Sequence, residues 1–141
     1  GHKVRHTSNP YMAFRDGSVH ILGGNTGVDS QPQGQSQQFL NVVEFGFDAQ
    51  EAVSQPRFIT TSFPAGTFPE VAKNTLQMES EFSDRLVADL REKGHKVEVG
   101  NGIFGSANMI LLDEDLENEG GIQTGDEPRV STSAGKTVTI D

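Results

Sequence analysis

Apolar and polar positions alternate over two short runs near the start of the chain, Tyr11-Met-Ala-Phe-Arg15 and Ser18-Val-His-Ile-Leu22, with Asp16-Gly17 between them. Alternation of this kind suits strands with one buried face. Asp-Gly between two such runs predicts a hairpin, because both turn residues tolerate positive φ. Residues 23–32 read GGNTGVDSQP, a Gly-rich loop whose Pro32 suits the first turn of a helix. A helix is predicted over 33–47, with Leu40, Val43 and Phe47 on one face and Phe39 and Val42 beside them. Asp48 is a natural N-cap for a second short helix over 49–54, which Pro56 stops.

Residues 57–62 read as a strand, 64–69 (PAGTFP) as a loop, and the neighbourhood of Leu76 and Met78 as another strand. The clearest helix opens at Ser80, where Phe82, Leu86 and Leu90 recur at i, i+4 and i+8 beside Val87. Lys93 suits its last turn, and Gly94 its end. Strands follow over 95–99 and over the most apolar run, 106–112, which is expected to be central. Weaker strand patterns occupy 120–124 and 137–140. The order β-β-α-α-β-β-α-β-β, with no helix between the opening strands, predicts an α+β fold with antiparallel pairs, not a doubly wound sheet. Without an internal repeat or linker, residues 1–141 read as one unit.

Composition narrows the class. The chain has 141 residues, 33% of them hydrophobic, and 16 glycines, which suits a loop-rich domain better than a helical bundle. No apolar run is long enough to span a membrane as a helix, and residues 1–8 do not resemble a signal peptide. A net charge of −9 argues against a nucleic-acid partner. The acidic run 113–119 (DEDLENE) lacks the ligand alternation and central Gly of a calcium loop and reads as a solvated turn. With no Cys, disulfides and thiolate chemistry are excluded.

Candidate chemistry is sparse. There is no Walker A loop and no G-x-S-x-G elbow. The four His, at 2, 6, 20 and 95, have no metal-ligand spacing. Gly23-Gly24-Asn25-Thr26-Gly27 lacks the third glycine of a dinucleotide fingerprint, yet a Gly-rich loop before a helix can still present N–H groups to an anion or oxyanion. His6-Thr7-Ser8-Asn9 is a polar cluster able to meet a ligand or to make an ordinary turn. Arg57 and Arg129, each after a Pro, are expected to tie down carbonyls or a carboxylate rather than to act in catalysis.

Several pieces occur in a telling order: Asn9-Pro10, Asp16-Gly17, Gly24-Asn-Thr-Gly-Val28 with Asp29, Gln31 and Gln33, the stretch LNVVEFGFDAQEAVSQPRF, Gly94-His95 and Glu127-Pro128-Arg129. Together they resemble the C-terminal part of the small subunit of the γ-glutamyltransferase family. The resemblance implies an N-terminal-nucleophile (Ntn) hydrolase fold, an αββα sandwich with largely antiparallel sheets. It also implies a self-cleaving precursor whose freed Thr attacks a γ-glutamyl amide of the glutathione kind and passes the acyl group to water or an amino acid. That Thr is expected upstream: the family's Thr-Thr-His-type sequence does not occur here. The implied partners are the remainder of a parent chain and a γ-glutamyl or other acyl-amide small molecule. No cofactor or metal is called for.

The same resemblance assigns this segment an acyl-pocket role. His6 and Thr7 stand where the family has a Ser-Ser pair, as substrate-binding candidates. Gly27 and Val28 stand where a Gly-Gly pair forms the oxyanion hole. Thr26 replaces a Pro, Glu127 an Asp, and Thr132 a frequent Gly. Two readings follow: part of an active hydrolase or acyltransferase, or a catalytically dead relative kept for binding or assembly. The first is preferred.

Overall fold

The computed structural model describes residues 1–2, 7–62, 74–101, 104–112 and 121–130, together with the backbone of 138–139. The hairpin forms as its pattern dictates. Strand β1 (Tyr11–Arg15) pairs antiparallel with β2 (Ser18–Asn25) across Asp16 and Gly17, whose φ values of 50° and 90° are the left-handed angles that a tight hairpin turn demands. A register shift between Ala13 and Phe14 leaves His20 as an extra residue in β2. Its imidazole turns inward, and Nδ1 meets the Leu112 carbonyl at 2.8 Å. Strand β2 runs three residues further than its alternation suggested, taking Gly23, Gly24 and Asn25 out of the expected loop. Those residues pair with β6 (Ala107–Leu112), which supplies the hydrogen bonds that a Gly-rich stretch cannot signal locally.

Strand β7 (Gly121–Asp126) and β8 (Val138–Thr139) complete a five-stranded antiparallel sheet in the order β1-β2-β6-β7-β8, with β6 in the middle as expected. Helices α1 (Gln31–Val43) and α2 (Ala49–Ser54) cover one face. Between them lies the main core of Ile21, Val42, Ala49, Ala52, Val53, Ala107, Met109 and Leu111. One row across the sheet reads Tyr11, Gly23, Met109, Gly125. The Tyr11 ring lies over Gly23, and α2 approaches Gly125 so closely that a Cβ there would overlap the Ala49 carbonyl. Burial pushes the Tyr11 phenol up to about 12.

Helix α1 departs from its expected bounds and face. It begins at Gln31 with Pro32 in its first turn and stops at Val43, where Gly46 (φ 70°) reverses the chain. Its sheet-facing positions are Gln31, Gly34, Gln35, Gln38 and Val42, while Leu40 and Val43 lie exposed. The apolar face read from the sequence is therefore split: Leu40 and Val43 point outward, while Val42 lies in the core with Phe39 and Phe47 packed against it. Helix α2 matches expectation to the residue, because Asp48 and Glu51 form a reciprocal capping box.

A second, three-stranded sheet holds β3 (Phe58–Thr60), β4 (Leu76–Met78) and β5 (Val97–Val99), antiparallel then parallel. Helix α3 (Asp84–Glu92) packs Val87 against Met78 and Val97, with Phe82 and Leu90 alongside. Its cap is Ser83, three residues later than read from the sequence, since Ser83 Oγ accepts the Leu86 N–H. At its end Gly94 adopts φ 92°. The His95 and Gly94 N–H groups return to the Leu90 and Arg91 carbonyls, a Schellman closure. The loop 64–69 and the acidic run 113–119 lie outside the described residues.

Because α2 approaches β7 so closely at Gly125, Gly125→Ala should lower stability by about 1–3 kcal/mol, since backbone must move to admit the methyl group. Urea unfolding would measure it. An unchanged midpoint would mean that α2 shifts freely.

Candidate functional site

The end of β2 leads into the loop that the sequence singles out. Thr26 is clamped to the neighbouring strand. Its N–H donates to the Ser106 carbonyl at 2.9 Å, and its Oγ1 accepts the Ser106 N–H at 2.8 Å. Gly105 (φ 84°) presses against it so closely that any Cβ would overlap the Thr26 carbonyl. Gly27 follows at φ 112°, and Val28 at φ 54°. The left-handed region is open to glycine and disfavoured for a β-branched residue by about 1–3 kcal/mol, so this is the strained point of the loop. No acceptor among the described residues takes the N–H of either Gly27 or Val28. A 3₁₀ turn over Val28–Ser30 carries the chain into α1.

Beside the loop lies an open pocket of about 320 Å³, lined by Thr7, Asn9, Gly24, Asn25, Thr26 and Ser106 among others. Thr7 is thus brought to the loop, its side chain exposed. Gly27 and Val28 follow directly after the lining residue Thr26 without lining the pocket themselves. His6 lies outside the described residues, as does Thr132.

Helix α1 holds this segment through its glutamines. Gln31 Nε2 donates to the Thr7 carbonyl at 2.8 Å, and Gln35 Nε2 donates to the Asn9 carbonyl. On the other flank, Gln33 and Gln37 each bond both backbone groups of one β3 residue. Gln33 receives the Thr60 N–H at 2.8 Å and donates to its carbonyl at 3.2 Å. Gln37 receives the Phe58 N–H at 3.1 Å and donates to its carbonyl at 2.8 Å. Residues four apart on a helix lie almost as far apart as residues two apart on a strand. One helix can therefore serve two extended segments.

Behind the loop sits a cluster of two guanidinium groups and two carboxylates. Arg57, 1% exposed, gives NH2 to Glu127 Oε2 at 2.8 Å and NH1 to the Gly105 carbonyl at 2.9 Å. Arg129 gives NH1 to Glu127 Oε1 at 2.8 Å and NH2 to Glu79 Oε2 at 2.7 Å. Arg129 also donates to the carbonyls of Val53, Ser54 and Gln55 at the end of α2. Glu79 further accepts the Arg57 N–H at 2.8 Å, and Glu127 that of Ala107 at 3.2 Å. Burial pulls the Arg57 guanidinium below its ordinary value against the attraction of Glu127. Burial also works against the Glu127 carboxylate, but the hydrogen bond from Arg129 and the charge of Arg57 outweigh it and hold its pKa low. Both arginines do the structural work expected of them. Glu79, which serves both, gave no signal in the sequence. The glutamines did carry one, a period-two series at 31, 33, 35 and 37.

Mixed helices and largely antiparallel sheets, matching those of solved γ-glutamyltranspeptidases, place the chain in the Ntn-hydrolase fold class. The chain belongs to the γ-glutamyltranspeptidase family, whose profile matches residues 1–137. It is 33% identical over 127 residues to a glutathione hydrolase-like proenzyme, YwrD, of Bacillus subtilis, covering 88% of this chain and 22% of that protein. It is 36% identical over 100 residues to an oxamate amidohydrolase proenzyme of Klebsiella pneumoniae, covering 70% of this chain and 18% of that one. Its fold matches a crystal structure of acivicin-inhibited γ-glutamyltranspeptidase with a TM-score of 0.73 at 19% identity, over 89% of this chain and 61% of that one. The chain thus spans about a fifth of the length of these curated relatives.

Two outcomes follow from this geometry. Glu127→Gln should destabilise the protein by about 3–5 kcal/mol at neutral pH, by removing the nearer of the two buried carboxylates that face Arg57 and leaving it only Glu79 at 3.8 Å. The depressed Glu127 pKa means that this carboxylate stabilises the fold above the unfolded value of about 4.3. That contribution disappears as pH falls through its lower folded value, so the variant should show a flatter acid limb in denaturant titrations. Val28→Gly should raise stability by about 0.5–1 kcal/mol in the same assay. A loss would mean that the Val28 side chain packs productively.

Proposed function

We propose that this chain is the acyl-pocket segment of a self-processing amide hydrolase or acyltransferase of the γ-glutamyltranspeptidase family. The observation that carries the proposal is the pair of unpartnered N–H groups at Gly27 and Val28, on left-handed backbone beside the pocket that Thr7 lines. Two adjacent donors fixed on a rigid loop are what a developing oxyanion needs. Thr7 would supply a hydroxyl to the bound acyl group. The nucleophilic Thr would come from an upstream segment of the parent chain, its own α-amine serving as base. The substrate would be a small acyl amide, with γ-glutamyl amides of the glutathione kind first in line. The oxamate amidohydrolase relative makes shorter acyl amides the next class to try.

Val28 bears on the alternative, a dead relative kept for binding or assembly. A sequence released from the need for this geometry would let a β-branched residue relax to negative φ. Val28 instead holds φ 54°, and strain maintained at a candidate site supports retained function.

The remainder of the parent would also cover surface that this chain leaves bare. Met12, Phe14 and Ile110 are exposed on the face of the large sheet opposite the helices. The test is to express the full parent reading frame, weigh its products and assay γ-glutamyl and oxamate-type amides. Two chains, the second starting at a Thr upstream of this segment, with amide turnover, are expected. The 141-residue chain alone should show none. A single uncut, inactive parent would overturn the proposal, and turnover by the isolated chain would overturn the account of the nucleophile.

A further inference from the structure

Residues 7–9 form no strand and expose the Thr7 side chain, yet two buried amides are committed to them. Gln31 and Gln35 are each 7% exposed. Their Nε2 groups end on the Thr7 and Asn9 carbonyls, alternate backbone groups of one extended segment. Burying a polar side chain is favourable only if its hydrogen bonds are made. Here those bonds fix a piece of backbone that packs little apolar surface. Gln31 is also the first residue of α1, directly after the 3₁₀ turn that Val28 opens. One rigid element therefore carries the strained loop at its start and grips the Thr7 segment within its first two turns.

We infer that Gln31 and Gln35 are positioning residues, which set the place of Thr7 relative to the Gly27–Val28 donor pair and so define the acyl pocket. The inference rests on the function proposed above. The opposite flank offers an internal control. Gln37 makes the same kind of bond, two of them, to Phe58 in β3, away from the pocket-lining residues. A general loss of stability would follow from removing either glutamine. A change in the pocket would follow only from removing Gln31 or Gln35.

The experiment uses the full-length parent with Gln31→Met and, separately, Gln37→Met. Met keeps the length and loses the amide. Steady-state hydrolysis of a chromogenic γ-glutamyl anilide, or of whichever amide the wild type cleaves, gives KM and kcat. Crystal structures of the wild type and of both variants report the positions of residues 7–9 and 58–60. The expected result is a displacement confined to residues 7–9 in Gln31→Met, with KM raised at least tenfold and kcat changed less. Gln37→Met should displace 58–60 and leave KM within twofold. If the two variants share the same kinetics, or if Gln31→Met leaves residues 7–9 where they lie in the wild type, the glutamines only stabilise the fold and the inference is overturned. A wild-type parent that cleaves no amide would instead overturn the functional reading itself, and this inference with it.

Discussion

The buried cluster of Arg57, Glu79, Glu127 and Arg129 joins parts of the chain that the backbone alone leaves separate. Glu79 follows β4 of the small sheet, Glu127 follows β7 of the large one, and Arg57 lies between α2 and β3. Two positive and two negative groups offset each other's charge. Their remaining hydrogen-bonding capacity goes largely to backbone: the Gly105 carbonyl, the end of α2, and the N–H groups of Arg57 and Ala107. A charge removed from water is tolerable only with such partners. Loss of any one member would leave a buried charge without compensation, so the four residues act as a unit.

The cluster reaches the candidate site through backbone contacts, the nearest to the loop being the one to Gly105. Arg57 holds the Gly105 carbonyl, and Gly105 lies against Thr26, immediately before the loop of Gly27 and Val28. The loop is therefore backed by an ion cluster on one side and followed by α1 on the other. That enclosure explains how a valine can keep a left-handed backbone. The surrounding bonds over-determine the conformation, and the local preference of the side chain is overruled.

Helix α1 shows a different use of polar groups. Its inward face carries glutamines where a typical amphipathic helix carries leucines, because it binds backbone as well as covering a core. Gln33 and Gln37 occupy the outer hydrogen-bonding edge of β3, the place that a fourth strand would take. An open sheet edge is a liability, and here side-chain amides close it. Gln31 and Gln35 do the equivalent for residues 7–9. The exposed Leu40 and Val43 are the corollary: with several inward positions given to amides, part of the apolar surface of this helix falls on its outer side, while Val42 and Phe39 still meet the core.

The sequence by itself determined much of what is governed by neighbours in the chain. The Asp16-Gly17 hairpin, the Asp48 cap with its short helix, the Gly94 helix end and the alternation of β6 were legible because turn chemistry, capping and period-two burial act within a few residues. The ordered motifs, read as a resemblance, gave the family and its fold. The sequence did not determine which face of α1 is buried or that Gly23–Asn25 lie in a strand. It did not show that Glu79 joins two arginines, or that Gln31 and Gln35 reach residues 7–9. Each of these depends on a partner more than 20 residues away along the chain. The period-two glutamines mark a pattern without naming its partners, and the carboxylates carry no such pattern. Only the tertiary structure decides them, because the partner of a buried polar group is fixed by which distant elements pack together.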